Sequence, residues 1–145
     1  VKLVEAKKVE GCKCIPVDDF EQVKKDADKM KKIMVDNHGI GLAAPQVGIL
    51  KRFFIMKDYR LKGIVLIINP QVIKPSEKIG TFREGCLTYP GTEFIIKRPK
   101  QVLVSWFNSE GVEMHRKLSG KEAQVFQHEF DHLDGISCKT KGETV

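Results

Sequence analysis

Five consecutive residues, His128-Glu129-Phe130-Asp131-His132, constrain the fold of this chain more than any other feature. They lie within an otherwise apolar stretch that includes Val125, Phe126 and Leu133. The pattern predicts a helix beginning at Ser119, with Glu122 completing a capping box, and stopping near Asp134-Gly135. On a helix, residues i and i+4 share one face a turn apart, so both imidazoles can reach a single metal ion. A stretch this apolar belongs in the interior, and burying two histidines and two acids without partners is costly. A metal resolves that cost, and Glu129, beside the first ligand, is placed to act as general acid and base. The alternative is a surface helix with two solvated histidines.

The rest of the chain surrounds this helix with strands. An N-terminal helix is predicted from Phe20 to Asn37, because Phe20, Val23, Ala27, Met30, Ile33 and Met34 fall on one stripe. Asp18 and Glu21 form a capping-box pattern, and Gly39 supplies the stop. Between the helices, Ile49–Met56, Ile64–Ile68, Glu93–Arg98, Val102–Phe107 and Val112–Leu118 are rich in β-branched or aromatic residues and read as strands. Asn108-Ser109-Glu110-Gly111 reads as a hairpin turn. The expected architecture is α+β: mostly antiparallel strands packed around a central helix carrying H-E-x-x-H, with an N-terminal helix. With 145 residues, no repeat and no linker-like segment, residues 1–145 are expected to form one domain.

Two histidines rarely complete a metal site, so a third ligand is needed. His115 falls on the polar face of its strand, and His38 ends the first helix, where it can cap carbonyls. Among Cys12, Cys14, Cys86 and Cys138, the sequence around Cys86 is distinctive: Glu84-Gly85-Cys86-Leu87-Thr88 lets a backbone approach closely at the glycine. Cys12 and Cys14 are spaced more tightly than a usual C-x-x-C pair and read as ordinary thiols. Three protein ligands with one open position is the layout of a catalytic site rather than a structural one. A further segment, Gly39 to Gly48, is a run of small residues around one amide. It reads as a tight turn, in which Gln46 also offers an N–H donor for a developing oxyanion.

Net charge is +6, but the basic residues are scattered among acids, which points to a solvated face and to no specific nucleic-acid partner. No apolar run is long enough to span a bilayer, so no membrane partner is expected. Residues 1–10 have no apolar core of a secretory signal, so a cytoplasmic, reducing setting is expected and the thiols should be free.

Taken in order, three segments resemble the peptide deformylase family. They are Gly39-Ile40-Gly41-Leu42-Ala43-Ala44-Pro45-Gln46, Glu84-Gly85-Cys86-Leu87-Thr88 and Gln127-His128-Glu129-Phe130-Asp131-His132. The likeness runs from the first helix to about Gly135, and its compact layout resembles deformylases carried by some bacteriophages. It implies a metallohydrolase that removes the formyl group from the N-terminal methionine of nascent peptides. It also implies one divalent metal held by Cys86, His128 and His132, with Fe2+ the natural ion and Zn2+, Ni2+ or Co2+ able to replace it. Glu129 would be the acid and base, and Gln46 with the Leu87 backbone N–H the oxyanion donors. The methionine pocket would draw on Gly39, Ile40, Gly41, Leu42, Val125 and Glu129, and backbone groups of Ile40 and Gly85 would pair with extended substrate. Arg98 is expected to pair with Glu84 or Asp131.

Three departures qualify the likeness, the first being that the opening residues lack the family's usual proline. Glu93 stands where many relatives carry an arginine, which alters peptide contacts beyond the methionine. Only the polar residues 136–145 follow the motif helix, which weakens the case for docking on a ribosome through a C-terminal helix and leaves transient ribosome contact open. A zinc peptidase shares H-E-x-x-H and is the rival enzyme; a small module with a structural metal is the rival without catalysis.

Overall fold

The computed structural model describes residues 1–144. Its elements run α1 (Phe20–Asp36), β1 (Gly41–Ala43), β2 (Phe53–Asp58), β3 (Gly63–Pro75), β4 (Ile79–Cys86), β5 (Tyr89–Pro99), β6 (Gln101–Phe107), β7 (Glu113–Ser119), α2 (Gly120–Leu133), α3 (Cys138–Lys141) and β8 (Glu143–Thr144), with short 3-10 turns at Ala6–Lys8 and Ala44–Val47. Five strands form one sheet in the order β1-β2-β3-β6-β7, and β4, β5 and β8 form another. Every paired strand is antiparallel to its neighbour. The α+β expectation is met, with a helix at each end of the strand-rich middle.

The larger sheet is covered on both faces, and β2 shows why. Successive strand residues point to opposite faces. Phe54 and Met56 turn toward α2 and join Ala123, Val125, Phe126 and Leu133 in one core cluster. Phe53 and Ile55 turn the other way and meet Val23, Ala27, Met30 and Met34 of α1. A strand buried on both sides has no polar face, which is why Phe53-Phe54-Ile55-Met56 is continuously apolar. Phe54 and Phe126 meet edge to face, with ring centroids 5.2 Å apart. This seam fixes α2 against the sheet.

Local details differ from the sequence reading at the helix ends. Asp19, not Asp18, caps α1: its carboxylate accepts from the Gln22 backbone N–H at 3.0 Å. Asp18 is thus one residue too early to reach the first turn. The left-handed turn after α1 is taken by His38 at φ 56°, ahead of Gly39, whose N–H donates to Met34 O at 2.8 Å. Ser119 does precede α2, but its hydroxyl makes no capping bond. Glu122 instead pairs with Arg60 and Arg116. The αL position after α2 is Gly135, at φ 75°.

The strand that begins at Ile49 in the sequence reading starts at Phe53, because Ile49 to Arg52 are held in loop contacts to Ala44 and Ile15. Strand β4 falls where the sequence pattern predicts none. Along Ile79–Cys86 only Glu84 is fully buried. The inward residue of this strand is therefore a charge, and an apolar alternation template passes over it.

Candidate active site

Helix α2 packs on the larger sheet and meets β5 of the smaller one, with His128, Glu129 and His132 buried, at 8%, 3% and 0% exposure. The surface-helix alternative is excluded by that burial. Cys86 ends β4, 46 residues earlier in the chain, and its Sγ lies 3.3 Å from His132 Nε2. A ligand atom from each of Cys86, His128 and His132 lies within 4.8 Å of the other two. Cys12, Cys14 and Cys138 are free thiols, and among the described residues Cys12 and Cys14 belong to no metal cluster. His115 is exposed and pairs with Glu113, as its polar-face register requires.

One side of the site is locked by a buried ionic network. Arg98, 1% exposed, makes two hydrogen bonds to Glu84, at 2.7 and 2.8 Å, and a third to Asp131 at 2.8 Å. Both acids named in the sequence reading are therefore its partners. Glu84 Oε1 also meets His128 Nδ1 at 2.8 Å. That contact leaves Nε2 as the free ring nitrogen of His128, 3.9 Å from Glu129 Oε2. Burial alone would push the Glu84 carboxyl up, but the hydrogen bonds from Arg98 and His128 hold it well below the usual carboxylate range. A metal-ligating imidazole oriented by a carboxylate on its other nitrogen is the usual outer-sphere arrangement. Glu84, His128 and Cys138 also cluster, but both Glu84 oxygens are already taken by Arg98. Cys138, to which the sequence reading assigned no role, packs behind the ring with Sγ 3.2 Å from His128 Nδ1. A single cysteine beyond a helix carries no sequence signal for such a contact.

The donor set fits a divalent cation. Glu129 Oε1 and His132 Nδ1 are buried without a hydrogen-bond partner among the described residues. Desolvation, followed by the charge of His128, holds His132 well below its ordinary pKa, so it is neutral and able to ligate. Burial opposes charge on His128 too, but Glu129 and the surrounding thiols and carboxylate raise its pKa well above the ordinary value. The same negative potential favours a cation at this spot. For Glu129, burial pushes the carboxyl up to about 7, with His128 working against it.

A cleft of about 480 Å³ opens onto this group, within the range of small-ligand pockets. Gly39, Ile40 and Gly41 line one wall, Gly85 and Leu87 another, and Val125 with Glu129 the floor. Leu42 does not reach it: the side chain is fully buried against α1 and holds the strand in place. Gly41 is required for close approach, since a Cβ there would sit 2.5 Å from Glu129 Oε2. Gln46, in the turn after β1, also lines the cleft. Its Oε1 accepts from the Ala43 N–H at 2.8 Å.

The family model for polypeptide deformylase matches residues 6–142. This chain belongs to that family. It is 42% identical to a curated peptide deformylase of Thermotoga maritima over 122 residues, covering 83% of this chain and 73% of the relative. The crystal structure of the Thermotoga maritima peptide deformylase superposes with a TM-score of 0.91 at 37% identity, covering 97% of this chain and 95% of that one. A probable peptide deformylase from synechococcus phage S-SSM7 gives a TM-score of 0.89 at 35% identity, covering 96% and 97%. The deformylase fold thus accounts for both sheets and both long helices.

Proposed function

We propose that the cleft is the catalytic centre of deformylation, with Cys86, His128 and His132 holding one divalent cation and Glu129 moving the proton. As a family member the chain is a hydrolase that removes the N-formyl group from the N-terminal methionine of newly made peptides and releases formate. The observation that carries the site assignment is the convergence of the thiol and two imidazoles within 4.8 Å, next to the buried Glu129 carboxyl. Ferrous iron is the proposed native ion, replaceable by zinc, nickel or cobalt. The proposed unit is a single catalytic domain over residues 1–145 acting in the cytoplasm, with any ribosome contact transient. No helix among the described residues is long and apolar enough to cross a membrane.

Chemically, a divalent cation in such a site lowers the pKa of water from about 15.7 toward roughly 7 and polarises a carbonyl. The protein's own groups do the rest. Glu129 accepts a proton from the attacking water and delivers it to the departing amine, a role suited to a carboxyl poised near 7. Gln46 and the Leu87 backbone N–H donate to the oxygen of the formyl carbonyl as it gains charge. Gly39, Ile40, Gly41 and Val125 receive the methionine side chain, and the backbones of Ile40 and Gly85 pair with the extended peptide. Arg98 and Glu84 keep the His128 ring in its ligating orientation.

The test is anaerobic purification with metal analysis, followed by formate release from a formyl-methionyl peptide beside cleavage of a longer unformylated peptide. One metal per chain and formate release alone are expected. Glu129→Gln should keep the metal and lose turnover by about 10²–10⁴. Cleavage of the unformylated peptide would favour a peptidase, and undiminished turnover in Glu129→Gln would remove this residue from the chemistry.

A further inference from the structure

Gln46 can serve as an oxyanion donor only if its amide is held with nitrogen toward the cleft. Two contacts set that orientation. The Ala43 N–H donates to Oε1 at 2.8 Å, which fixes which end of the amide is oxygen. On the other side, Nε2 lies 3.0 Å from Thr88 Oγ1 and 3.5 Å from Cys86 Sγ. The residue is 2% exposed, so solvent does not offer alternative partners. An amide nitrogen has two protons. One is directed at the threonine hydroxyl with ordinary hydrogen-bond geometry, and the other at a sulfur, a weak acceptor.

We propose that Thr88 is a positioning residue for catalysis: its hydroxyl anchors one N–H of Gln46 so that the other can leave Cys86 Sγ for the oxygen of the reacting formyl group. The two contacts differ in strength in the direction this requires. The neutral hydroxyl bond at 3.0 Å persists, while the longer contact to sulfur is the one exchanged for an oxygen that gains negative charge. The connection also crosses from the turn after β1 to the turn after β4, 42 residues apart, so it ties together two segments that both contribute to the cleft. The inference rests on the assignment of Gln46 as an oxyanion donor.

A double-mutant cycle tests it on the zinc-loaded protein. Thr88→Val removes the hydroxyl at nearly constant volume and should lower kcat about tenfold, with KM and zinc content changed less than about twofold. Thr88→Ser restores the oxygen and should return kcat to within about threefold of wild type. Gln46→Ala alone should cost about 10²–10³. In that background Thr88→Val should cost less than about twofold, since the group it positions is gone. Equal costs of Thr88→Val in both backgrounds, or a Thr88→Ser variant as impaired as Thr88→Val, would overturn the proposal. A Gln46→Ala variant within threefold of wild type would instead strike down the oxyanion role on which it rests. An independent readout is exchange of the Gln46 side-chain amide protons by NMR, expected to quicken in Thr88→Val but not in Thr88→Ser; unchanged exchange in Thr88→Val also counts against it. If Thr88→Val is insoluble, Thr88→Ala removes the same oxygen and takes its place.

Discussion

Arg98 and Glu84 face each other across β4 and β5 through two hydrogen bonds of 2.7 and 2.8 Å, with side-chain exposures of 1% and 4%. Few residues in the molecule are as fully withdrawn from water while charged. The pair does not stand alone, because Glu84 also holds His128 and Arg98 also holds Asp131. The backbone of α2 is thereby tied to the smaller sheet through the residues beneath the proposed metal ligands.

Removing one partner of a buried ion pair leaves an uncompensated charge and typically costs about 3–5 kcal/mol. Arg98→Ala is therefore expected to lower the unfolding free energy from urea curves by about that much, seen as a lower midpoint at unchanged slope. It should also release metal during gel filtration, because Glu84 loses the partner that keeps it aligned on His128. Full metal stoichiometry with an unshifted midpoint would show that the network does not support the site.

Gly41 faces Glu129 so closely that an added Cβ would lie 2.5 Å from Oε2 and 3.0 Å from Cδ and Cγ. At 3% exposure the carboxylate is packed on its other sides, and the cleft it lines is the space it can move into. Gly41→Ala should displace Glu129 and reduce kcat by about 10- to 100-fold, the scale associated with a misplacement near 1 Å. Metal content and the thermal midpoint should stay close to wild type. Unchanged turnover would mean that Glu129 need not occupy its observed position.

Cys14 is 3% exposed, and burial pushes its thiol up to about 11 from 9.0, with Arg52 opposing the shift. Below pH 9 the thiol is protonated in folded and unfolded chains alike, and its contribution to stability is fully present. Between about 9 and 11 the unfolded chain gives up this proton while the fold retains it, so stability falls as pH rises, by up to about 3 kcal/mol. Denaturant curves of wild type and Cys14→Ala across this window are expected to converge with rising pH. A constant gap between them would show that Cys14 does not contribute to alkaline unfolding.

The chemistry of α2 was legible in the sequence because it is local. A spacing of four residues puts His128 and His132 on one face of any helix, and the apolar residues between and around them say that this face is buried. The motif segments around Gln46 and Cys86 were visible for a similar reason, since each is a short run whose residue types carry a role. The doubly covered β2 was also readable, as a continuous apolar run, though its start was placed four residues early.

What the sequence by itself determined was the helix, the motifs and the α+β class, all set by periodicities within a few residues. The tertiary structure decided which distant segments meet. It brings Cys86 to His132 across 46 residues and Thr88 to Gln46 across 42, turns Glu84 inward on a strand with no apolar alternation, and buries Leu42 away from the cleft. Faces and turns follow from local backbone geometry, whereas long-range contacts depend on how two sheets and a helix close around a shared interior, and no local pattern encodes that closure.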